Sequence, residues 1–397
     1  MRVLHTADWH LGRIFHGVHL TEDQAHTLDG FCALARETQP DVVLLCGDLY
    51  DRAVPPPDAV ALLDDVLARL VLDAGCAVIA ISGNHDSPER LSFGGRLLAH
   101  ARLHVAGRPE HPLAPITLLD EHGPVCFWPL PFSEPRVIRR VFGEAPPLMK
   151  APTAALVEGH GAALTHLVAR AAAAAREVPD ARHVVLAHGS VAGIGASESE
   201  RPLWIGPDGA ADAAVFAPFA YAALGHHHKP QDVGGLTTVR YPGSLLHYSF
   251  GECEAGKASG QGPSVTLVDI DAAGDITREV LDLPVRRPLD VRRGELKALL
   301  KTPPTDALLK FILTDTSPVL DPLARLRERF PGALVLEQER LQLPEAPQRV
   351  LADTRVDDEA LFSAFYEEMT GAPPTGAEQA AFRDVLEGLA ADTREAT

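Results

Sequence analysis

Five short apolar runs in the first 250 residues each break off at aspartate, asparagine or histidine, and this repeated arrangement constrains the fold more than any other feature. "RVLHTAD" ends at Asp8, with His10 two residues on. "DVVLLCGD" ends at Asp48, "AVIAISGNHD" runs into Asn84, His85 and Asp86, "RHVVLAHG" reaches His188, and "YAALGHHH" reaches His226, His227 and His228. Strands that are apolar on both faces belong to sheets covered on both sides, and function then collects at the strand ends. Between the first runs lie helical signals. Thr21 and Gln24 have the T-x-x-Q form of a capping box opening a helix to about Thr38, and Pro55, Pro56 and Pro57 lead into a helix reaching about Leu72. The pattern predicts β-α-β-α-β.

Further along, an alanine-rich stretch predicts a helix over residues 153–177, and residues 251–262 read as a glycine-rich bridge ahead of the strand "SVTLVDID". From Arg286 the strand, helix, strand pattern restarts as a small separate α/β module, ended by a proline-containing stretch at 343–347. Two amphipathic helices follow, at 357–369 and 376–389. The first carries Leu361, Phe362, Phe365 and Tyr366, more apolar surface than a free tail tolerates.

With 397 residues, of which 46% are hydrophobic and 23% charged, the chain can bury a large core and favours more than one domain. No run is long enough to cross a bilayer, and the cytoplasm is the expected location. The five cysteines form no CxxC pair, which fits reduced core thiols. A net charge of −18 counts against a stand-alone nucleic-acid binder; contact with a polyanion requires bound cations or a partner's surface.

Asp8, His10, Asp48, Asn84, His188, His226 and His228 mix hard oxygen and borderline nitrogen donors. That mix suits six-coordinate manganese, iron or zinc better than calcium, and seven ligands accommodate two ions. A carboxylate bridging two ions is the usual arrangement for phosphoester cleavage. Each motif also has a plain reading: Asp8 as a turn cap, His188 as a core histidine, the histidine run as a polar loop. On an extended segment His226 and His228 face one way and His227 the other.

The series D-x-H, G-D-x-x-D-R, G-N-H-D, H-G and G-H-x-H resembles the calcineurin-like metallophosphoesterase superfamily. Within it, "LHTADWHLGR", "GDLYDRAVPP", "SGNHDSPERL", "ALGHHHKPQ" and "YPGS" are similar to the SbcD family, the nuclease subunit of the bacterial SbcCD complex. The resemblance implies an α/β sandwich of two central β-sheets flanked by helices over residues 1–280, a capping domain at 281–345, and partner-docking helices within 346–397. It implies that Asp8, His10, Asp48 and His228 bind one ion and Asp48, Asn84, His188 and His226 the other, with manganese preferred and His227 a spacer. His85 would protonate the leaving oxygen, with the Asp51 carboxylate hydrogen-bonded to it. Arg13, Arg52 and Arg90 would reach the DNA backbone, and Leu361, Phe362, Phe365 and Tyr366 would anchor on the coiled coil of an SbcC-type ATPase. The implied activity is 3′ to 5′ exonuclease action on double-stranded ends and hairpin opening, by a homodimer within a heterotetramer. The glycine-rich 251–262 stretch is looser than the family pattern. Two other readings stand beside this one: a phosphodiesterase or phosphatase acting on a small molecule or protein, and a non-catalytic assembly scaffold.

Overall fold

The computed structural model describes every residue except 111–112, 143–158, 195–196, 201–208, 340–357 and 396–397. The start of the alanine-rich helix and the 343–347 stretch lie outside the described residues. In chain order the strands are β1 (Arg2–Thr6), the hairpin β2 (Ile14–Phe15) and β3 (Val18–His19), β4 (Val42–Cys46), β5 (Ala77–Ile81), β6 (Leu103–Ala106), β7 (Ile116–Asp120) and β8 (Gly123–Leu130). Then come β9 (Arg182–His188), β10 (Tyr221–Gly225), β11 (Gln231–Val233), β12 (Leu236–Tyr241), β13 (Ser264–Ile270), β14 (Ile276–Asp282), β15 (Leu289–Gly294), β16 (Leu308–Leu313) and β17 (Ala333–Gln338).

Two six-stranded sheets, ordered β14-β13-β1-β4-β5-β6 and β11-β12-β10-β9-β8-β7, stack face to face. Between them Val42, Leu44, Ile79 and Ile81 meet Phe127, Val184, Leu186 and Ala223. The alternate residues Leu4, Val43, Leu45 and Val78 turn outward onto Leu28, Phe31, Leu63 and Val66 of the helices Thr21–Thr38 and Pro57–Ala68. Val185, Ala187 and Leu224 turn onto Leu167, Val168 and Ala171 of the helix His160–Ala175. The layers therefore run helix, sheet, sheet, helix. Burial on both faces, at about 1.5–3 kcal/mol for each large aliphatic side chain, is why these strands read as unbroken apolar runs.

Parallel register aligns the strand ends. Thr6 lies opposite Leu45, Cys46 opposite Ile81, and Gly225 opposite His188. The loops that follow these strands therefore emerge at one level.

Two local expectations fail. Thr21 does not cap its helix: the N-cap is Leu20 with no side-chain bond, Thr21 donates to Asp58 at 2.9 Å, and Gln24 is drawn into the interior. The 251–262 stretch is not a loop but largely the helix Phe250–Ser259, capped by Ser249 and ended by Gly260 at φ 71°. Burial of Phe250 and Cys253 outweighs the cost of Gly251 and Gly256 within it.

The chain forms two compact units. One comprises Met1–Arg292, Pro303–Phe311 and Leu323–Val335; the other comprises Arg293–Thr302, Ile312–Pro322 and Leu336–Thr397. The strands of a three-stranded sheet, β15-β16-β17, alternate in sequence with the helices Leu296–Leu299 and Pro322–Arg329. In the second unit the helices Asp358–Thr370 and Gly376–Glu395 form a hairpin in which Phe362 stacks on Phe382 at 4.0 Å. Tyr366 donates to Glu378, so Phe362 and Tyr366 serve the hairpin itself. Leu361 and Phe365, one turn apart on the neighbouring stripe, are 49% and 60% exposed.

Candidate metal centre

All seven predicted ligands converge where the strands end. His10 Nε2 and His228 Nε2 are 3.1 Å apart, with Asp48 Oδ2 3.7 Å from His10 Nε2. Asn84 Oδ1 lies 3.0 Å from His188 Nε2 and 3.2 Å from His226 Nδ1, and His188 Nε2 is 3.4 Å from Asp48 Oδ2. Donor atoms of Asp8, His10 and His228, and of Asp8, Asp48 and His188, fall within 4.8 Å of one another. Asp48 thus faces histidines of both sets, and Asp8 also approaches both.

The backbone is bent to bring them there. Asp8, His10, Asp48 and His226 adopt φ of 53°, 46°, 50° and 112°, half of the left-handed non-glycine residues among those described. Each costs on the order of 1–3 kcal/mol and persists only where its surroundings over-determine it. The loops hold each other: Asp8 N donates to Gly47 O at 3.0 Å, His10 N to Asp48 O at 2.9 Å, and His226 N to the Asp8 carboxylate at 3.0 Å. Two glycines allow this approach. A Cβ on Gly225 would lie 1.8 Å from Cys46 O, and one on Gly83 would lie 2.0 Å from Asp48 Oδ1.

Buried polar residues outside the predicted set complete the frame. Asp86 accepts from Leu49 N, Tyr50 N and Gly83 N at 3.1, 2.9 and 2.9 Å, tying the loop after β5 to that after β4. Gln24 accepts from Gly12 N at 3.1 Å and donates to Trp9 O, His10 O and the Tyr248 hydroxyl. His227, expected as a spacer, is buried with Nδ1 2.8 Å from Glu200 Oε2, and Glu200 Oε1 accepts from His228 N at 2.9 Å. Glu252 lies 3.1 Å from His228 Nδ1. Asp86 stands in a quoted motif; nothing local in the sequence marks Gln24, Glu200 or Glu252.

His85 is half-buried beside the predicted ligands, its ring edge-on to that of His10 at 4.7 Å. Its Nδ1 lies 2.8 Å from the backbone carbonyl of Asp51, not from the carboxylate, which corrects the predicted contact. A carbonyl only accepts, so Nδ1 carries the hydrogen and Nε2 is left for other work. The Asp51 carboxylate is taken by Arg13 at 3.0 Å and lies 3.7 Å from His10 Nδ1. Of the three arginines, Arg52 and Arg90 are exposed. Arg13 is tied to Asp51 and lies over the Tyr248 ring at 5.0 Å.

The electrostatics describe a site short of positive charge. Burial lifts the Asp8 carboxyl to about 7 against the pull of His188 and His228. Burial also opposes charge on Asp48, yet His188, His10 and His85 outweigh it and hold that carboxyl well below the usual range. His188 is disfavoured as a cation by burial, but Asp48 and Asp8 bring it up to about 9. Burial pushes His10 and His226 well below the ordinary histidine value. Buried carboxylates and imidazoles packed this closely would gain from a neighbouring cation. Buried polar atoms without a partner, His10 Nδ1 and Asn84 Nδ2 among the described residues, line the same place, and the donor set fits two divalent ions.

Comparison with known families bears on this geometry. A model described as calcineurin-like phosphoesterase matches residues 1–230, and the SbcD C-terminal model, described as the type 5 capsule protein repressor C-terminal domain, matches residues 285–370. The crystal structure of TT1561 of Thermus thermophilus aligns over 71% of this chain and 99% of its own at 17% identity, with a TM-score of 0.38.

Proposed function

The chain belongs to the calcineurin-like phosphoesterase family and is of the SbcD type, and from that premise we propose that it is a manganese-dependent DNA nuclease working with an SbcC-type ATPase in DNA repair and recombination. Its substrates in this reading are double-stranded ends, degraded 3′ to 5′, and hairpins, opened endonucleolytically. It acts as a homodimer within a heterotetramer in the cytoplasm. The observation that carries the reading is the convergence of Asp8, His10, Asp48, Asn84, His188, His226 and His228 with His85 at one edge of the sandwich. The C-terminal family match favours the nuclease over a phosphatase acting on a small molecule or protein.

When bound, two divalent ions clamp a phosphate and lower the pKa of a water. Asp8, His10, Asp48 and His228 would hold one ion, and Asp48, Asn84, His188 and His226 the other. The Asp51 carbonyl fixes His85 with its hydrogen on Nδ1, which directs Nε2 to carry the proton given to the departing sugar oxygen. Asp86 and the glycine at 83 hold His85 and Asp48 at their separation. Cations at the site also offset its carboxylates, which eases the approach of a polyanion to a chain of net charge −18.

Digestion of end-labelled linear duplex and hairpin DNA, beside a chromogenic phosphodiester, tests the reading with Mn2+ and with or without the ATPase. Shortening from the 3′ ends and opening of the hairpin are expected. Hydrolysis of the chromogenic ester with both DNAs left intact would return the protein to the small-molecule or protein phosphoesterases.

A further inference from the structure

Glu252 sits in the stretch that reads as a loose glycine-rich bridge, yet its side chain is buried and four groups surround its carboxylate. Tyr248 N donates to it at 2.6 Å, Ser197 Oγ at 2.7 Å, and Ser199 Oγ also donates; His228 Nδ1 lies 3.1 Å from Oε1. Ser199 Oγ is itself 2.6 Å from His228 Nδ1. The hydroxyl hydrogen of Ser199 is committed to the carboxylate, so both neighbours of Nδ1 are acceptors. Nδ1 must therefore carry the hydrogen, and Nε2 is left with its lone pair. That Nε2 is the atom 3.1 Å from His10 Nε2. Two imidazole nitrogens brought this close, with one of them an acceptor, make a seat for a shared hydrogen or a cation.

We propose that Glu252 is a positioning residue of the metal centre, fixing the tautomer and ring orientation of His228 so that Nε2 is presented to the first ion. Carboxylate partners of ligating histidines raise ligand basicity and hold the ring, and their loss weakens metal binding by about 10- to 100-fold. Glu200 complements this by accepting from His228 N, which fixes the backbone while Glu252 fixes the ring. Three residues of the segment Ser197–Glu200, "SESE", thus bond to Glu252 or His228, a role its composition does not announce. The inference rests on the two-ion reading of the site.

The test is a titration of the full chain with MnCl2, followed by electron paramagnetic resonance and calorimetry, for the parent, Glu252→Gln and Glu252→Asp. Glutamine keeps the shape but removes the charge and one acceptor oxygen. The parent is expected to bind two Mn2+ with a spin-coupled signal. Glu252→Gln should bind one Mn2+ at parental strength and the other about 10- to 100-fold more weakly, losing the coupled signal at stoichiometric metal. Some loss of melting temperature in EDTA accompanies this, because the same carboxylate accepts from Tyr248 N and Ser197 Oγ. Both ions bound at parental affinity, with melting in EDTA lowered or not, would make Glu252 at most structural and overturn the proposal. Where Glu252→Gln fails to fold, Glu252→Asp decides, because it keeps the charge but withdraws the oxygen from His228 Nδ1: binding of one ion about tenfold weaker supports the role, and unchanged binding of both refutes it. A parent that takes up no second Mn2+ would instead sink the two-ion reading itself.

Discussion

Gly83→Ala probes whether the separation of the two loops carrying Asp48 and His85 is set by close approach. A Cβ at position 83 would lie 2.0 Å from Asp48 Oδ1, 2.3 Å from Asp48 N and 2.6 Å from Asp48 Cγ, against a floor of 3.0 Å for real Cβ contacts. The loops would have to part by about 1 Å, because overlap this deep lies on the steep repulsive wall of the contact potential. No flexible side-chain tip is available to yield. One obstacle is backbone, and the other is a carboxylate held by His85 N at 2.8 Å, while Gly83 N is itself bound to Asp86. Gly83 is not among the left-handed glycines, so the effect comes from the added methyl and not from the backbone conformation. Overpacking of this kind costs about 1–3 kcal/mol, which lowers Tm by roughly 2–4 °C per kcal/mol in a domain of this size. Displacing a catalytic group by 1 Å costs about 100-fold in rate. The assay is Mn2+-dependent hydrolysis of a chromogenic phosphodiester, with thermal melting in EDTA. Gly262→Ala is the control, since a Cβ there meets nothing within 4 Å and its φ is ordinary. Parental kcat and Tm for Gly83→Ala would refute the close-approach reasoning outright.

Other outcomes are equally direct. His85→Ala should lose about 10²- to 10⁴-fold in rate while still binding two Mn2+; Asp51→Asn should lose less than about tenfold, because the bond to His85 comes from the backbone. Equal losses in the two variants, measured with the same ester, would return the carboxylate to His85. His5 is buried, with Nδ1 2.9 Å from the Tyr221 hydroxyl and Nε2 3.1 Å from Leu224 O, and burial lowers it from 6.5 to about 3. The unfolded chain therefore binds the extra proton between those values. Stability should hold above pH 6.5 and fall by up to about 1.4 kcal/mol for each pH unit below it. Urea unfolding at pH 7.5 and 5.5 in EDTA should show a shallower fall for His5→Gln, and identical slopes would count against it. Leu361→Glu with Phe365→Glu should abolish co-purification with the ATPase and leave chromogenic turnover unchanged; retained co-purification would remove this stripe from the docking surface.

The sandwich and the convergence of the strand-end Asp, Asn and His residues are legible because both follow from short-range patterns. An unbroken apolar run marks a strand covered on two faces, and a break into Asp, Asn or His marks its end. What escaped depends on partners remote in sequence. Gln24 reads as half of a capping box, and only the fold brings it to Tyr248, 224 residues away. Glu252 lies among glycines that argue for a loop, and its helix is fixed by burial of Phe250 and Cys253. The G-D-x-x-D motif puts Asp51 near His85, but no sequence pattern distinguishes a contact through its carboxylate from one through its carbonyl. The tail aromatics divided for the same reason: Phe362 and Tyr366 found partners on the second helix, which spacing within the first helix cannot reveal.

The remote contacts also explain why Asp8, His10, Asp48 and His226 can sit on strained backbone. The loop after β1 is strung to the loop after β4 by Asp8 N and His10 N, and the loop after β4 to the loop after β5 by Asp86 and by His85 N. The loop after β10 returns to the first through His226 N on Asp8. These links form a connected set in which each loop is the template for its neighbour, so a left-handed residue in one is held by hydrogen bonds from another. Relaxing Asp48 to an ordinary conformation would require giving up its bonds to His10 N and His85 N together. Strain that a single loop would shed is thereby shared, and the donor atoms stay converged with acceptors facing one another, a geometry that protons tolerate and that divalent cations satisfy.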